Sequence, residues 1–377
     1  MKKLLIEAIS TNSGGAIAHL KNLLENFDKQ KYFNRADVYL PLTTKKLMPK
    51  NTKINYISPK LSKNLFLRIF WQIMFLNFIT FKNKYDCIFV TGSSHLLLTR
   101  PVVTISQNLL PFSKYEMNKY FFSIFYLKLK ILNLIQSISF KMSEGIIFLH
   151  KFSKNKIMNQ IGKTSGLINV IAHGVAYEKK LIIKNEKKFR IIYVSNIDLY
   201  KNQIFIIDAI NDFLNKNPFF KNKILIEFYG NAYKPALKLF NKKLDSLGVN
   251  KVFFKYYGVK SKKTVYSNKK GYNTIFLFAS SCENFSVSLI EGMSKGFPIL
   301  CVNLQPMKSV LGNTALFYKH NSFKSFYNQF FKILSSHKKR MLISNKVYSR
   351  VKKYNGANVA RKTFNFLQKV SEKNYER

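Results

Sequence analysis

The sequence predicts an α/β protein built from two Rossmann-like halves, and three observations carry that expectation. Short apolar runs of strand character alternate with longer helical stretches along most of the chain. The alternation lapses into the charge-rich Tyr177-Glu-Lys-Lys180 and Lys184-Asn-Glu-Lys-Lys188, then begins again. A length of 377 residues with 47% hydrophobic content suffices for two domains with separate cores and excludes a disordered chain.

In the first half, Leu4–Ile9 reads as a strand. The apolar run of Met1-Lys-Lys-Leu-Leu-Ile6 stops at Glu7, too short for a signal peptide. Gly14-Gly15 then turns the chain into a helix over Ala16–Phe27. Further strands are expected at Asp37–Leu40, Cys87–Thr91, Val102–Ser106, Gly145–Leu149 and Leu167–Ile171, with helices at Asn64–Phe81 and Tyr115–Lys141. In the second half, strands are expected at Phe189–Ser195, Ile224–Phe228, Val252–Phe254, Thr274–Phe278, Ile299–Val302 and Ala315–Tyr318. From Ser322 onward the chain reads as helical. The expected division is 1–175, 176–355, and a C-terminal helix over 356–377 that crosses back to the first domain.

Charge narrows the function classes. Lys plus Arg number 63 against 18 Asp plus Glu, a net charge of +45. So basic a surface attracts polyanions: nucleic acid, anionic lipid or phosphorylated substrates. Cys87, Cys282 and Cys301 have no metal-ligand spacing and read as small buried hydrophobes. No stretch offers about 20 uncharged apolar residues, which excludes a membrane-spanning helix. Leu65–Phe81 and Tyr120–Lys141 instead mix apolar residues with Arg68, Lys128, Lys130 and Lys141, a composition suited to the headgroup layer of an anionic membrane or to covering a domain core.

The most specific stretch is Ala279-Ser-Ser-Cys-Glu-Asn-Phe-Ser-Val-Ser-Leu-Ile-Glu-Gly-Met-Ser-Lys-Gly-Phe-Pro-Ile299. It places Glu283 in a loop after an expected strand and Glu291 inside the following helix. Ligands of open α/β sheets collect at such strand ends, where helix N-termini favour anions. Ser288 and Glu291 also have capping-box spacing, a purely structural alternative. With Phe285, Gly292, Gly296 and Pro298, the stretch resembles the E-x7-E signature of retaining glycosyltransferases of family 4.

That resemblance implies the GT-B fold, two Rossmann-like domains facing across a central cleft, and transfer of a hexose-type sugar from a nucleotide-diphosphate sugar. It implies that Glu283 and Lys201 are catalytic: Glu283 near the transferred sugar, Lys201 on the donor diphosphate. Glu291 would bind the ribose, with Asn284, Phe285, Ser286 and Val287 cradling sugar and phosphate. Gly230, Gly258 and Val259 would approach the nucleotide. Gly14, Gly15, Gln107 and Asn108 would form the acceptor and phosphate loops of the first domain. Two departures stand out. Ser195-Asn196 replaces the Gly-Arg of many members, and Gln107 stands where several carry His, so neither position supplies a positive charge. His19, Glu116 and His173-Gly174 read more simply as a packed side chain, a solvated helix-start carboxylate and a hinge.

The family resemblance implies no metal and no bound cofactor, the leaving diphosphate being held by Lys and helix dipoles. Its pairing with a basic surface leads to a lipid-linked acceptor at the cytoplasmic face of the membrane, in lipopolysaccharide O-chain or capsule assembly. Two other readings remain: a basic nucleic-acid-binding protein, although no nucleic-acid-binding motif is present, and a catalytically inactive nucleotide-sugar-binding subunit.

Overall fold

The computed structural model describes residues 1–12, 14–60, 67 and 70–375. Ser13 of the glycine loop, and residues 64–66, 68 and 69 of the expected Asn64–Phe81 helix, lie outside the described residues. The chain divides into unit 1, Met1–Ala176 with Tyr354–Arg377, and unit 2, Tyr177–Lys353.

Unit 1 is built on a seven-stranded sheet. Its strands are β1 Lys3–Glu7, β2 Arg35–Tyr39, β3 Ile54–Ile57, β4 Cys87–Val90, β5 Val102–Ser106, β6 Gly145–Phe148 and β7 Leu167–Val170. All pairings are parallel, in the order β3-β2-β1-β4-β5-β6-β7. The order reverses between β1 and β4, which opens a crevice at the carboxyl ends of those strands. β4, β5 and β6 are buried at every position, as a parallel sheet covered on both faces requires.

Unit 2 repeats the design with six strands: β8 Lys188–Val194, β9 Ile224–Tyr229, β10 Phe254–Tyr256, β11 Tyr272–Phe278, β12 Ile299–Val302 and β13 Leu316–Tyr318. The order β10-β9-β8-β11-β12-β13 is again parallel and reverses between β8 and β11. Two sheets of this kind, flanked by helices, are the GT-B architecture.

Several local expectations needed correction. β3 was not foreseen, because Ile54-Asn-Tyr-Ile57 is a short edge strand with little alternation. β10 starts two residues later than expected, after a 3-10 turn over Gly248–Phe253. The helix expected over Tyr115–Lys141 is two helices, Lys114–Asn118 and Ile124–Met142, because Ser123 starts the second by accepting a hydrogen bond from Tyr126 N. The three cysteines are free and buried.

The last helix, Gly356–Tyr375, belongs to unit 1. Phe364 meets Phe27 edge-on at 5.6 Å, and Ser371 Oγ donates to Asp86 O at 2.8 Å. At Gly145 a Cβ would come 2.8 Å from Val370, so glycine lets this helix approach β6.

Two helices of unit 1 turn apolar residues outward. Phe70, Met74, Phe78 and Phe81 are exposed along the stretch ending in helix Asn77–Asn83. On helix Ile124–Met142 the exposed stripe is Ile124, Leu127, Leu134 and Ile138, with Phe122 fully exposed just before it. Their spacing of three, four or seven residues puts each set on one helix face. Neither helix is therefore wholly a core cover. Among the described residues no helix is long and apolar enough to cross a membrane.

Candidate functional site

In unit 2 the carboxyl ends of β8 and β11 flank the reversal of strand order, and there the chain brings Lys201 to Glu283. After β8, Asp198 accepts from Leu199 N at 2.8 Å and starts a 3-10 turn over Leu199–Lys201. Asn202 leaves this turn with φ 56°, a left-handed conformation that Asn tolerates. Its side chain donates to Ala279 O at 2.8 Å, while Ser281 N and Ser281 Oγ donate to Tyr200 O at 2.9 and 3.0 Å. These bonds lace the turn after β8 to the loop after β11. Lys201 Nζ and the Glu283 carboxylate then form a direct ion pair.

Lys201 is buried rather than solvated, and its ammonium lies 4.7 Å from the Tyr200 ring centroid. Burial works to lower its pKa, but Glu283, with help from Tyr193, raises it above the usual lysine value. Tyr193 OH donates to Lys201 O and braces the turn from below.

The loop leads into helix Val287–Ser294. Ser286 is its N-cap, accepting from Leu289 N at 3.3 Å. The capping box suggested by Ser288 and Glu291 therefore does not form: the cap is two residues earlier, which releases Glu291 for other partners. Gly292 is packed against β11, where a Cβ would come 2.7 Å from Phe276, and Gly296 ends the helix region with φ 72°. Asn284, Phe285 and Val287 are buried around this helix start.

Glu291 forms a second cluster. Tyr266 OH donates to Glu291 Oε2 at 2.9 Å, and Lys262 Nζ pairs with Oε1. Burial and the adjacent Glu291 push the Tyr266 phenol well above its usual pKa, so it remains a donor. A buried brace holds the segment carrying Tyr266: Arg190 donates to Val265 O at 3.0 Å, to Ser267 O at 2.9 Å and to Glu227 at 2.5 Å. Sequence reading overlooked Tyr266 and Arg190, since no motif marks either; only the fold brings the segment after β10 to Glu291.

Gly230 and Gly258 lie together, Gly230 N donating to Gly258 O at 2.9 Å. With φ 138°, Gly230 accommodates Ser195 O, which would be 2.2 Å from a Cβ. Val259 projects outward and is exposed. Asn196 O accepts from Gln203 at 2.8 Å, and Ser195 Oγ accepts from the same side chain at 3.0 Å, so this pair is bound into a neutral network.

In unit 1, Gly14 opens helix Gly14–Glu25 with φ 58°, and Gly15 is its next residue. Gln107 N donates to Ser93 Oγ at 2.9 Å, and Asn108 Oδ1 accepts from Leu110 N at 3.0 Å, just beyond β5. Glu116 is buried and paired with Lys119 at 2.8 Å, not solvated as its place at a helix start suggested. His19 is buried with its ring 4.7 Å from that of His173.

Residues 177–350 match the family described as "Glycosyl transferases group 1". No curated protein matches the chain by sequence. Among solved structures, HepE from Anabaena, crystallised with UDP-glucose, has a TM-score of 0.72 at 15% identity and covers 100% of both chains. Sucrose-phosphate synthase from Thermosynechococcus elongatus gives 0.77 at 12% identity, covering 98% of this chain and 99% of its own. The lipopolysaccharide outer core galactosyltransferase WaaB gives 0.64 at 14% identity, with 98% and 99% covered. At these identities the structures attest the fold, while the family match is made by sequence. The match to the glycosyl transferases group 1 family covers residues 177–350, and the two units have the GT-B fold.

Proposed function

We propose that this group 1 glycosyltransferase moves a hexose-type sugar from a nucleotide-diphosphate sugar to a lipid-linked saccharide, with retention and without a metal. The observation that carries the reading is the buried Lys201–Glu283 pair at the β8/β11 reversal of unit 2. A cation there can neutralise the charge that grows on a departing diphosphate, and stabilisation of developing charge by fixed groups is the largest single term in many enzymes. In the reaction the bond between the anomeric carbon and the diphosphate oxygen breaks, and a new bond forms from an acceptor hydroxyl on the same face. The hydroxyl proton passes to the leaving phosphate. Glu283 orients hydroxyls of the transferred sugar, and Glu291 binds the ribose diol. Ser286, Val287 and their neighbours offer backbone at the helix start.

Tyr266 fixes the Glu291 carboxylate in this scheme. Tyr266→Phe is expected to raise the donor KM about tenfold, the cost of one lost hydrogen bond to a charged group, with little change in kcat. Steady-state kinetics with varied donor check this. An unchanged KM would remove Tyr266 from nucleotide binding.

The acceptor is proposed to be lipid-linked, in lipopolysaccharide O-chain or capsule assembly, with the protein peripheral on the inner face of the cytoplasmic membrane. The exposed apolar stripes of unit 1 support this. Lys82, Lys84, Lys128, Lys130 and Lys141 flank them, and between residues 67 and 143 the only acids are Asp86 and Glu116. Apolar side chains among cations suit an anionic bilayer. Phe78→Glu combined with Phe122→Glu is expected to weaken flotation with phosphatidylglycerol vesicles at least about tenfold and to leave the melting temperature unchanged. Equal flotation of the variant would remove the membrane from the proposal.

The donor is tested by thermal shift against a panel of nucleotide sugars. A ligand that binds only the folded protein raises its melting point. At least one member should do so and be consumed when acceptor lipid is supplied. No shift and no donor consumption across the panel would overturn the enzyme reading.

A further inference from the structure

Unit 1 contains a cavity of about 570 Å³ between the turn that follows helix Gly14–Glu25 and the last helix, Gly356–Tyr375. That volume lies well inside the small-ligand range, about 300–1,000 Å³. Asn34 N donates to Lys2 O at 2.8 Å beside the start of β1, so the turn lies at the amino ends of the strands. The loops given to donor and acceptor follow the carboxyl ends, the length of a five-residue strand away, about 17 Å.

The walls of the cavity are fixed by the protein itself. Asn22 Nδ2 donates to Gly356 O at 3.0 Å at one end, and Tyr32 OH donates to Ser371 Oγ at 3.1 Å at the other. Between them Phe27 meets Phe364 edge-on. The Gln30 side chain accepts from Phe33 N at 2.8 Å and donates to Phe33 O at 2.6 Å, which closes a tight loop and sets Lys31 and Tyr32 in the wall. A recess held open in this way spends little binding energy on being ordered.

Lys29, Lys31 and Arg361 line the cavity, and no acid does. The carboxylates nearest in sequence are committed elsewhere: Asp28 to Lys53 at 3.3 Å and Asn51 at 2.7 Å, Glu25 to Lys21 at 3.8 Å, and Glu372 to Gln368 at 2.9 Å. The three cations form no ion pair among the described residues, and Arg361 meets only the Asn358 amide, at 3.3 Å. Like charges around one concave wall focus a positive potential that a bound anion relieves. The wall also offers an acceptor. Asn26 is only 8% exposed and lines the cavity; its amide nitrogen donates to Asn22 O at 2.8 Å, while its amide oxygen accepts from no described residue. A hydroxyl of the ligand can donate to it.

We propose that this cavity binds a soluble sugar phosphate, its phosphate held by Lys29, Lys31 and Arg361 and its hydroxyls by Asn26. The inference goes beyond the transferase reading, because the site lies away from the strand ends where transfer is proposed. The choice of a soluble ligand over a phospholipid headgroup follows from strand order. The crossover from β1 to β2 runs toward one edge of the sheet, and those from β3 to β4 and from β5 to β6 run toward the other. Right-handed crossovers of opposite direction lie on opposite faces. Helix Gly14–Glu25, with the cavity beside it, is thus on the face turned away from both exposed apolar stripes.

Calorimetry on the full-length protein tests this, with glucose 1-phosphate, glucose 6-phosphate, glucose and inorganic phosphate as probes at an ionic strength of about 0.15 M. At least one sugar phosphate should bind saturably, and more tightly than glucose or inorganic phosphate. Lys31→Met combined with Arg361→Met should weaken it at least about tenfold, as expected when hydrogen bonds to a charged group are lost. Both side chains are exposed, so the melting curve should not move. Lys238→Met with Lys242→Met removes the same charge from unit 2 and should leave binding unchanged, as should Lys201→Met/Glu283→Gln at the proposed donor site. No binding of either sugar phosphate, equal affinity for inorganic phosphate, or equal loss in either control variant overturns the proposal. Flotation with phosphatidylglycerol vesicles should be the same for wild type and Lys31→Met/Arg361→Met; a drop in the variant would assign the site to a lipid headgroup and overturn the soluble ligand. Sugar phosphate binding by a protein that transfers no sugar would sink the transferase reading and leave this one standing.

Discussion

Lys201→Met is expected to lower kcat by about 10²–10³, the range seen when one group that stabilises transition-state charge is removed. Glu283→Gln should fall in the same direction. The pair is buried, so each single change also leaves one charge without its partner, at a cost of about 3–5 kcal/mol in stability. That loss could by itself reduce activity in a crude assay. The double variant Lys201→Met/Glu283→Gln separates the two effects. With neither charge left, it should recover most of the lost stability and none of the lost turnover. Urea midpoints and kcat measured on all four proteins give both quantities. A double variant that transfers sugar at the wild-type rate would remove both residues from catalysis. The raised pKa of Lys201 keeps its ammonium charged throughout the neutral range. Since the folded value exceeds the unfolded one, the stability contributed by its charge is complete below about pH 10.5 and is lost only above it.

Acid should weaken unit 1 well before its carboxylates are neutralised. Burial lowers the His19 pKa to about 4, and burial with the nearby Arg100 lowers that of His95 to about 3. Burial, and secondarily His19, also pushes His173 well below 6.5. The sign follows from proton uptake. Below pH 6.5 the unfolded chain binds protons at these residues while the folded chain does not, so falling pH favours unfolding. The loss begins near pH 6.5 and is complete for His19 near pH 4, roughly 3 kcal/mol for that residue alone. Both ring nitrogens of His19 lack hydrogen-bond partners. His19→Leu should therefore raise stability at neutral pH by about 1 kcal/mol or more and flatten the acid slope. Urea unfolding at pH 7.5, 6 and 4.5 tests both statements. A wild-type midpoint that stays constant between pH 7.5 and 4.5 would show that these histidines are hydrated in solution.

Much of this was readable from residue order. Strand periodicity located most strands of both sheets, because buried parallel strands are short apolar runs that stand out between polar loops. Glu283 and Glu291 could be singled out because Gly292, Gly296 and Pro298 accompany them, and the structure gives the glycines local work: close packing on Phe276 and a left-handed helix end. The edge strand β3 escaped notice because an edge needs few apolar positions. The break near Ser123 was hidden by an apolar run that continues across it.

The sequence alone determined the fold class and the segment that carries the acidic pair, since both depend on local composition and short-range spacing. Tertiary structure decided who meets whom. It paired Lys201 with Glu283 across 82 positions and set Tyr266 against Glu291. It also returned the last helix to unit 1 and gathered Lys29, Lys31 and Arg361 around one cavity. Such contacts depend on strand order, and parallel strands joined through crossovers bring together loops that no local pattern connects.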